Sequence, residues 1–455
     1  MMAAYGLIFG ITAVGINTGL GLLYPCAYGL LPDTDHTWEI AALSSAINIG
    51  AMVGALSGGE IANRIGKKKT MLIGGVLACA SVWSMFAATY VMMFASRVFT
   101  GLGVGMTSSV CGAYVSEMAP PARRGFLGGL FQVFITLGIV IINVICYFVL
   151  GDNRDQSPVM YCASLVLSTL ETPNTASMDK IRTLMIIASA APVLFVLLVA
   201  SPFVPEATGD EKEGTDPLLK EEPATLSDLL AAKRPFAIAM MFAVALQFTG
   251  INAVMFYCSK FLDSANVSQK ILGTVIIMAW NFAATGVPLV LADRLGRRPL
   301  LIPSLATMGV SMIALGILVV YQTKETSSVF AFVLLGLFIL GFNSGPGFLF
   351  WVICIEIFPT HVAQKGFAVV NMTQWVFTLV VTFCFPPLQN ALGGWVFWLF
   401  GVPGVLVCTF MLFCLPETKG KTKQEITQEL SGPDWIVWRR GATWRTVYEI
   451  QGLAE

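Results

Sequence analysis

The chain contains a stretch of 51 residues, 366–416, without a single Asp, Glu, Lys or Arg. Ten further charge-free runs cover 1–32, 40–59, 70–96, 98–116, 125–151, 183–205, 235–259, 271–292, 299–323 and 326–355. A helix needs roughly 20 apolar residues to cross the hydrocarbon core of a bilayer. With 56% of residues hydrophobic and only 12% charged, a water-soluble domain could not cover the apolar surface. Pro386-Pro387 and Gly393-Gly394, near the middle of the longest run, read as a tight turn between two spans. The sequence therefore predicts an all-α membrane protein of twelve transmembrane helices. The first run is too long for a signal peptide and lacks its basic start and small-residue cleavage site, so it too reads as a span.

Basic residues in short loops are retained on the cytoplasmic side. Arg64, Lys67, Lys68, Lys69, Arg123, Arg124, Arg294, Arg297, Arg298 and Lys365 all fall in alternate loops, whereas Asp33, Asp35, Asp152, Asp155, Glu171, Asp263 and Glu325 fall in the others. Both termini are therefore expected in the cytoplasm, with the plasma membrane as the default location. The net charge is zero, which leaves no electrostatic case for nucleic acid. The ten cysteines are scattered singly, mostly in apolar runs, and behave as small hydrophobes. Neither a disulfide framework, a metal site nor a cofactor is predicted. With only His36 and His361 available, no nucleophile, base or metal cluster has the spacing of an enzyme site. Asn266-Val267-Ser268 is a glycosylation sequon in an expected external loop, while Asn371-Met372-Thr373 lies inside a span and out of reach.

The chain also repeats itself. Gly15-Ile16-Asn17 recurs as Gly250-Ile251-Asn252, Asn63-Arg64-Ile65-Gly66-Lys67-Lys68 as Asp293-Arg294-Leu295-Gly296-Arg297-Arg298, Glu117-Met118-Ala119-Pro120 as Glu356-Ile357-Phe358-Pro359, and Pro205-Glu206 as Pro416-Glu417. Two parallel six-helix bundles, 1–203 and 235–415, account for this, and such repeats place a site at their interface. The acidic stretch 204–234 reads as a cytoplasmic linker with room for one helix, starting near Thr225. The segment 416–455 reads as a cytoplasmic tail whose Trp435, Trp438 and Trp444 meet the headgroup region.

Polar side chains in hydrocarbon are costly unless they face a partner or an aqueous cavity. Here they include Asn17, Arg97, Gln132, Asn143, Gln247, Asn252, Asn281, Asn343 and Gln374, with Trp351 and Trp375 nearby. Amides donate and accept hydrogen bonds, and aromatic faces stack on sugar C–H surfaces, so the set suits a neutral polyhydroxylated ligand. The competing role is structural, because lone amides also join helices and Trp also packs.

The loop motifs 63–68 and 293–298, the run Gln247-Phe248-Thr249-Gly250-Ile251-Asn252-Ala253 and the closing Leu415-Pro416-Glu417-Thr418-Lys419-Gly420 together resemble the sugar porter family of the major facilitator superfamily, over nearly the whole chain. The resemblance implies a sugar site lined by Asn143, Gln247, Asn252, Asn281 and Trp351, with Trp375 beside them. Three positions depart from the pattern: Leu246 replaces the first of two Gln residues, Asn343 replaces an acidic or polar residue, and Asn143 replaces Gln. In proton-coupled relatives a first-helix Asp pairs with a fourth-helix Arg; this chain keeps Arg97 but has Asn17. Every Asp and Glu lies at or beyond a span end, so no carboxylate is placed to titrate near the midplane.

The resemblance further implies a charge network joining the two halves at the cytoplasmic face. Its members would be Glu117 with Arg124, Asp293 with Arg297 and Arg298, and Glu206, Glu356 and Glu417. Ala363 stands where an Arg is expected, with Lys365 as a substitute, and the first-half motif is altered to Pro205-Glu206-Ala207-Thr208-Gly209. Glu60 has no role in this pattern. Gly50, Gly54 and Gly58, and Gly101 and Gly105, predict close helix contact. Gly345-Pro346-Gly347 predicts a bend beside Trp351 that serves as a gate hinge. The reading is a facilitative, uncoupled transporter of a hexose or similar polyol working by alternating access. A proton-coupled symporter and a non-transporting sugar sensor remain the alternatives.

Overall fold

The computed structural model describes residues 2–15, 23, 37–81, 89–118, 124–150, 173–202, 204, 226–265, 267–321, 327–359 and 362–431. The regular elements among them are all helical. The N-terminal helices are α1 (Met2–Ile8, continued by a π-helical turn Phe9–Gly15), α2 (Thr37–Ile65), α3 (Lys67–Ala78), α4 (Tyr90–Met118), α5 (Arg124–Leu150) and α6 (Pro173–Ala200). The short α7 (Leu226–Ala231) precedes α8 (Lys233–Phe248), α9 (Ile251–Ser264), α10 (Lys270–Ala284), α11 (Gly286–Leu295) and α12 (Arg297–Tyr321). The chain ends with α13 (Ser327–Ser344), α14 (Pro346–Glu356), α15 (Ala363–Leu392), α16 (Trp398–Cys414) and α17 (Lys423–Ser431).

Eight stretches of the described residues are long and apolar enough to cross a membrane. The pair α8 and α9 lies within one of them, as do most of α13 and most of α14, and the 50-residue stretch Lys365–Cys414 holds nearly all of α15 and the whole of α16. The turn in that stretch falls at Gly393, which takes the left-handed φ of 53°, and a 3₁₀ turn Gly393–Phe397 leads into α16. Pro386 and Pro387 sit inside α15 and do not form the turn. The helix exteriors carry large exposed apolar side chains, among them Val91, Phe148, Leu194, Val310, Val329 and Leu406. Water would penalise such a surface, and lipid tails would not.

The N-terminal helices pack most closely where glycines meet. A Cβ on Gly50 or Gly54 of α2 would collide with the carbonyl oxygens of Val98 and Leu102 on α4. One on Gly101 or Gly105 of α4 would strike those of Ile47 and Ala51. The backbones touch because the side chains are missing, the small-residue packing expected between apolar helices in lipid. N-terminal and C-terminal helices meet along α2 with α15 and along α5 with α10.

Three interruptions in the C-terminal helices shape the centre of the molecule. Gly250, with φ of 88°, separates α8 from α9. Thr285 separates α10 from α11, and Gly345 (φ −125°, ψ −95°) separates α13 from α14, which begins at Pro346. A Cβ on Gly250 would meet the Phe400 ring at 2.6 Å, so this turn needs glycine for space as well as for its backbone conformation. Pro346 occupies the first position of α14, where its missing N–H costs nothing. The bend the sequence expects at Gly345-Pro346-Gly347 is therefore a break between two helices.

Candidate transport site

The basic loops define one end of the molecule, called here the basic end; Thr37 and Asn390 lie at the far end. At the far end the N-terminal and C-terminal helices are joined. Asn390 donates to the Thr37 hydroxyl at 3.2 Å, Trp38 packs on Phe383, and Asn48 Nδ2 donates to Thr382 Oγ1 at 2.8 Å. The Tyr257 hydroxyl also donates to the Thr382 carbonyl at 2.8 Å. Nearer the middle, Phe9 packs on Trp375 with ring centres 5.6 Å apart, and Phe131 meets Trp351 edge-on at 5.9 Å.

The predicted site residues divide into two groups by how their hydrogen bonds are used. In the first group, Asn343 Nδ2 donates to Asn281 Oδ1 at 2.7 Å and to the Ile339 carbonyl at 3.0 Å. The Thr285 hydroxyl lies 3.1 Å from Asn343 Oδ1 and 3.3 Å from the Thr136 hydroxyl. Asn281 Nδ2 reaches the Met255 sulfur at 3.8 Å. Here α10, α13 and α5 are tied together by side chains that have spent their polar valences on one another.

The second group comprises Gln247 and Asn252, which flank the break at Gly250, and Gln374, Trp375 and Asn143 on α15 and α5. Gln247, in the last turn of α8, accepts a short hydrogen bond from Asn252 Nδ2 in the first turn of α9, and Asn252 Nδ2 also reaches Thr378 Oγ1 at 3.3 Å. Gln247 is fully buried, yet its Nε2 has no partner among the described residues. Gln374 Oε1 and Trp375 Nε1 on α15 are likewise buried without partners. Asn143 bonds its own helix through Nδ2 to the Ile139 carbonyl at 2.8 Å, leaving Oδ1 open. Asn143 lies two helical turns from Thr136, on the same face of α5. Two unfilled donors and two unfilled acceptors are what a hydroxylated ligand complements, since each hydroxyl both gives and takes a hydrogen bond. Buried polar atoms of this kind are uncommon and ask for an explanation.

Trp351 is part-buried in the middle of α14, between Phe131, Phe350 and Phe367. Arg97 is buried on α4 and lines a small cavity with Thr12, Ser81, Ser96 and Thr100. Its expected counterpart Asn17 lies outside the described residues, as do Glu206 and the side chains of Glu117, Arg124 and Asp293. Sequence reasoning missed the hydroxyls: Thr136, Thr285, Thr378 and Thr382 carry the helix-to-helix hydrogen bonds. The available signal was positional, because Thr378 and Thr382 follow Trp375 at helical spacing on α15.

At the basic end the described members of the charge network gather within the C-terminal helices. Arg297 pairs with Glu356 at 3.2 Å, and the Thr418 hydroxyl donates to the other Glu356 oxygen at 2.6 Å. Glu417 caps α12, its two carboxylate oxygens each accepting at 3.0 Å from the backbone N–H of Arg297 and of Arg298. A carboxylate at a helix N-terminus also meets the positive end of its dipole. Gly296, at φ 100°, admits this approach; a Cβ there would sit 3.0 Å from Glu417. Lys419 Nζ closes the corner on the Arg294 carbonyl at 2.7 Å. The N-terminal counterpart is Gly66, at φ 91°, with Lys68 Nζ bound to the Val204 carbonyl at 2.6 Å. Glu60, unexplained by the sequence pattern, pairs with Arg64 one turn on, at 2.9 Å. Both are exposed, so the pair contributes only a few tenths of a kcal/mol.

Broken spans with an open polar atom beside a break, as Gln247 is beside Gly250, are the devices with which secondary transporters build their sites. A family model described as "Sugar (and other) transporter" matches residues 26–430. The chain belongs to this sugar transporter family, whose members are transporters and not enzymes. It is 29% identical over 442 residues to the galactose-proton symporter of Escherichia coli K12, covering 94% of this chain and 93% of that protein. It is 30% identical over 406 residues to solute carrier family 2, facilitated glucose transporter member 2, of Gallus gallus, covering 86% and 75%. Among solved structures, the E. coli xylose transporter XylE in a partially occluded inward-open conformation matches with a TM-score of 0.73 at 24% identity, covering 92% of this chain and 98% of that one.

Proposed function

We propose that the chain is a facilitative, uncoupled transporter of a hexose or similar polyol. The observation that carries this reading is the set of buried open valences: Gln247 Nε2 beside the Gly250 break, Gln374 Oε1 and Trp375 Nε1 on α15, and Asn143 Oδ1 on α5. They belong to α8, α15 and α5, so a ligand bridging them touches both the N-terminal and the C-terminal helices. Asn252, Asn281, Asn343 and Trp351 frame the same site, the first three by holding its helices in place and the last by offering a ring face. Twelve spans in two bundles, 1–203 and 235–415, joined by the linker 204–234 and followed by the tail 416–455, give the frame. With both termini cytoplasmic, the joined far end is the outer gate, and the site opens towards the cytoplasm in the plasma membrane. Rocking the bundles about the site would break the Asn48–Thr382 and Thr37–Asn390 contacts and close the basic end, where Glu117, Arg124, Glu206 and Asp293 complete the network with Arg297, Arg298, Glu356 and Glu417. The breaks at Gly250 and Gly345 are the joints of this motion.

Uncoupled transport is favoured because each Asp and Glu lies at or beyond a span end and the first-helix position that would face Arg97 is Asn17. The likeness to a galactose-proton symporter keeps coupled transport as the second reading. Uptake of labelled D-glucose into proteoliposomes separates the two. Saturable uptake indifferent to an inward proton gradient supports the uniporter, and accumulation driven by the gradient overturns it. Sugar binding without flux identifies a sensor.

A further inference from the structure

Asn371 enters the sequence only as part of a sequon buried in a span, and no role follows for it there. In the structure it is 1% exposed, and both its Nδ2 and its Oδ1 lack a hydrogen-bond partner among the described residues. Neither structural use of a membrane amide applies. Asn143 and Asn343 return their Nδ2 to the carbonyl four residues back, whereas Asn371 makes no such bond; Asn281 and Asn343 join helices by pairing, and Asn371 has no pair.

Its direction follows from helical geometry. At about 100° per residue, Phe367, Gln374, Trp375, Thr378 and Thr382 all lie within about 60° of Asn371 around α15. This face is turned to the centre at every level: Phe367 packs on Trp351, Trp375 on Phe9, Thr378 accepts from Asn252 and Thr382 from Asn48. Asn371 sits between the Phe367–Trp351 and Trp375–Phe9 aromatic contacts, one turn nearer the basic end than Trp375. A fully unpartnered amide at this depth, away from bulk water, needs a polar occupant beside it.

We propose that Asn371 is a further substrate-binding residue, its amide holding a vicinal diol with one donor and one acceptor, at a subsite on the basic-end side of Trp375. The inference rests on the sugar-transport reading and extends its site by one turn. The amide matches a pair of adjacent hydroxyls, one accepting and one donating. The occupant thus requires two neighbouring hydroxyls in addition to those that meet Gln247 and Gln374.

The test is zero-trans uptake by the full chain in proteoliposomes, comparing wild type with Asn371→Leu across D-glucose and its monodeoxy analogues. Asn371→Leu should raise the KM for D-glucose about tenfold with little change in kcat. For deoxygenation at either of the two adjacent positions that the amide holds, the variant's KM penalty should be smaller than for D-glucose, because one of the two hydroxyls is already gone. The melting temperature without sugar should be unchanged or higher, since an unpaired polar group has been removed from the interior. Asn371→Ser, which retains one hydroxyl, should fall between the two in KM and serves as the readout if Asn371→Leu does not fold. An unchanged KM, or a penalty equal for every analogue, overturns the proposal while leaving sugar transport standing. If wild type moves no sugar, the transport reading fails and this inference falls with it.

Discussion

Two sets of buried amides in this membrane chain contain the same chemistry and are put to different uses. Around Thr285, Asn281 and Asn343 consume each other's hydrogen-bonding capacity and bind three helices together. Around Gly250 and along α15, Gln247, Gln374, Trp375 and Asn371 keep atoms in reserve. In hydrocarbon an amide must be answered by something. In the first set the answer is another part of the protein; in the second, on the proposed reading, it is the transported sugar. The lesson is that residue type marks where polarity lies in a span, while partner accounting tells scaffold from site.

The sharpest attempt to break this distinction is Gln247→Leu. If the second set is the site, kcat/KM for the transported sugar should fall at least about tenfold, the scale of one lost hydrogen bond of about 1.4 kcal/mol. Uptake and melting curves measured together check this, and a comparable loss of melting temperature would reassign Gln247 to the scaffold. The mirror experiment is Asn343→Leu, which leaves Asn281 Oδ1 and the Thr285 hydroxyl short of a partner. It should cost about 1–3 kcal/mol of stability, seen as a lower melting temperature, and a variant as stable as wild type would dissolve the comparison. A double-mutant cycle sharpens the first set: Asn281→Leu with Asn343→Leu should show a coupling of about 0.5–3 kcal/mol in stability. The same cycle on Gln247 and Gln374 should show none without sugar.

Smaller effects are expected at the basic end, where the charges meet water. Glu417→Gln should loosen the start of α12 by about 0.5–2 kcal/mol, as loss of a helix cap does, and hydrogen exchange at Arg297 and Arg298 would report it. The smallest effect concerns Glu425, which forms a reciprocal cap with Thr422 at the start of α17. The backbone N–H of Thr422, and then its hydroxyl, holds the Glu425 carboxyl below the usual glutamate range. A lowered carboxylate pKa supports the folded helix at neutral pH and loses that support as pH falls through the folded value. Exchange protection of α17 should therefore be constant from pH 8 to about 5 and drop only in stronger acid.

Much of the fold was legible because lipid imposes a simple rule: charge-free stretches of span length must be helices, and basic loops mark one side. The glycine rows of α2 and α4 were equally legible, because spacing by four residues puts a bare strip on one helix face. Less legible were the places where a helix stops. Pro386-Pro387 proved to be helical while Gly393 makes the turn, because a buried helix tolerates proline when neighbouring groups satisfy the backbone. The interruption at Gly250 was visible only as a Gly-rich motif, and the Phe400 ring beside it leaves no room for a side chain there.

The amino-acid sequence by itself determined the class of molecule, the number of apolar stretches and the list of polar residues that must be explained, because hydrophobic length and buried polarity are properties of residues one at a time. It also carried the family, through motifs whose order spans the chain. Only the tertiary structure decided which amides were spent, Asn281 and Asn343, and which were open, Gln247 and Asn371. It also recruited Thr136, Thr285, Thr378 and Thr382, which no list of polar outliers contained. Hydrogen bonding is a relation between groups far apart in the chain, as Asn48 with Thr382 shows, so a partner exists only once the helices have come together.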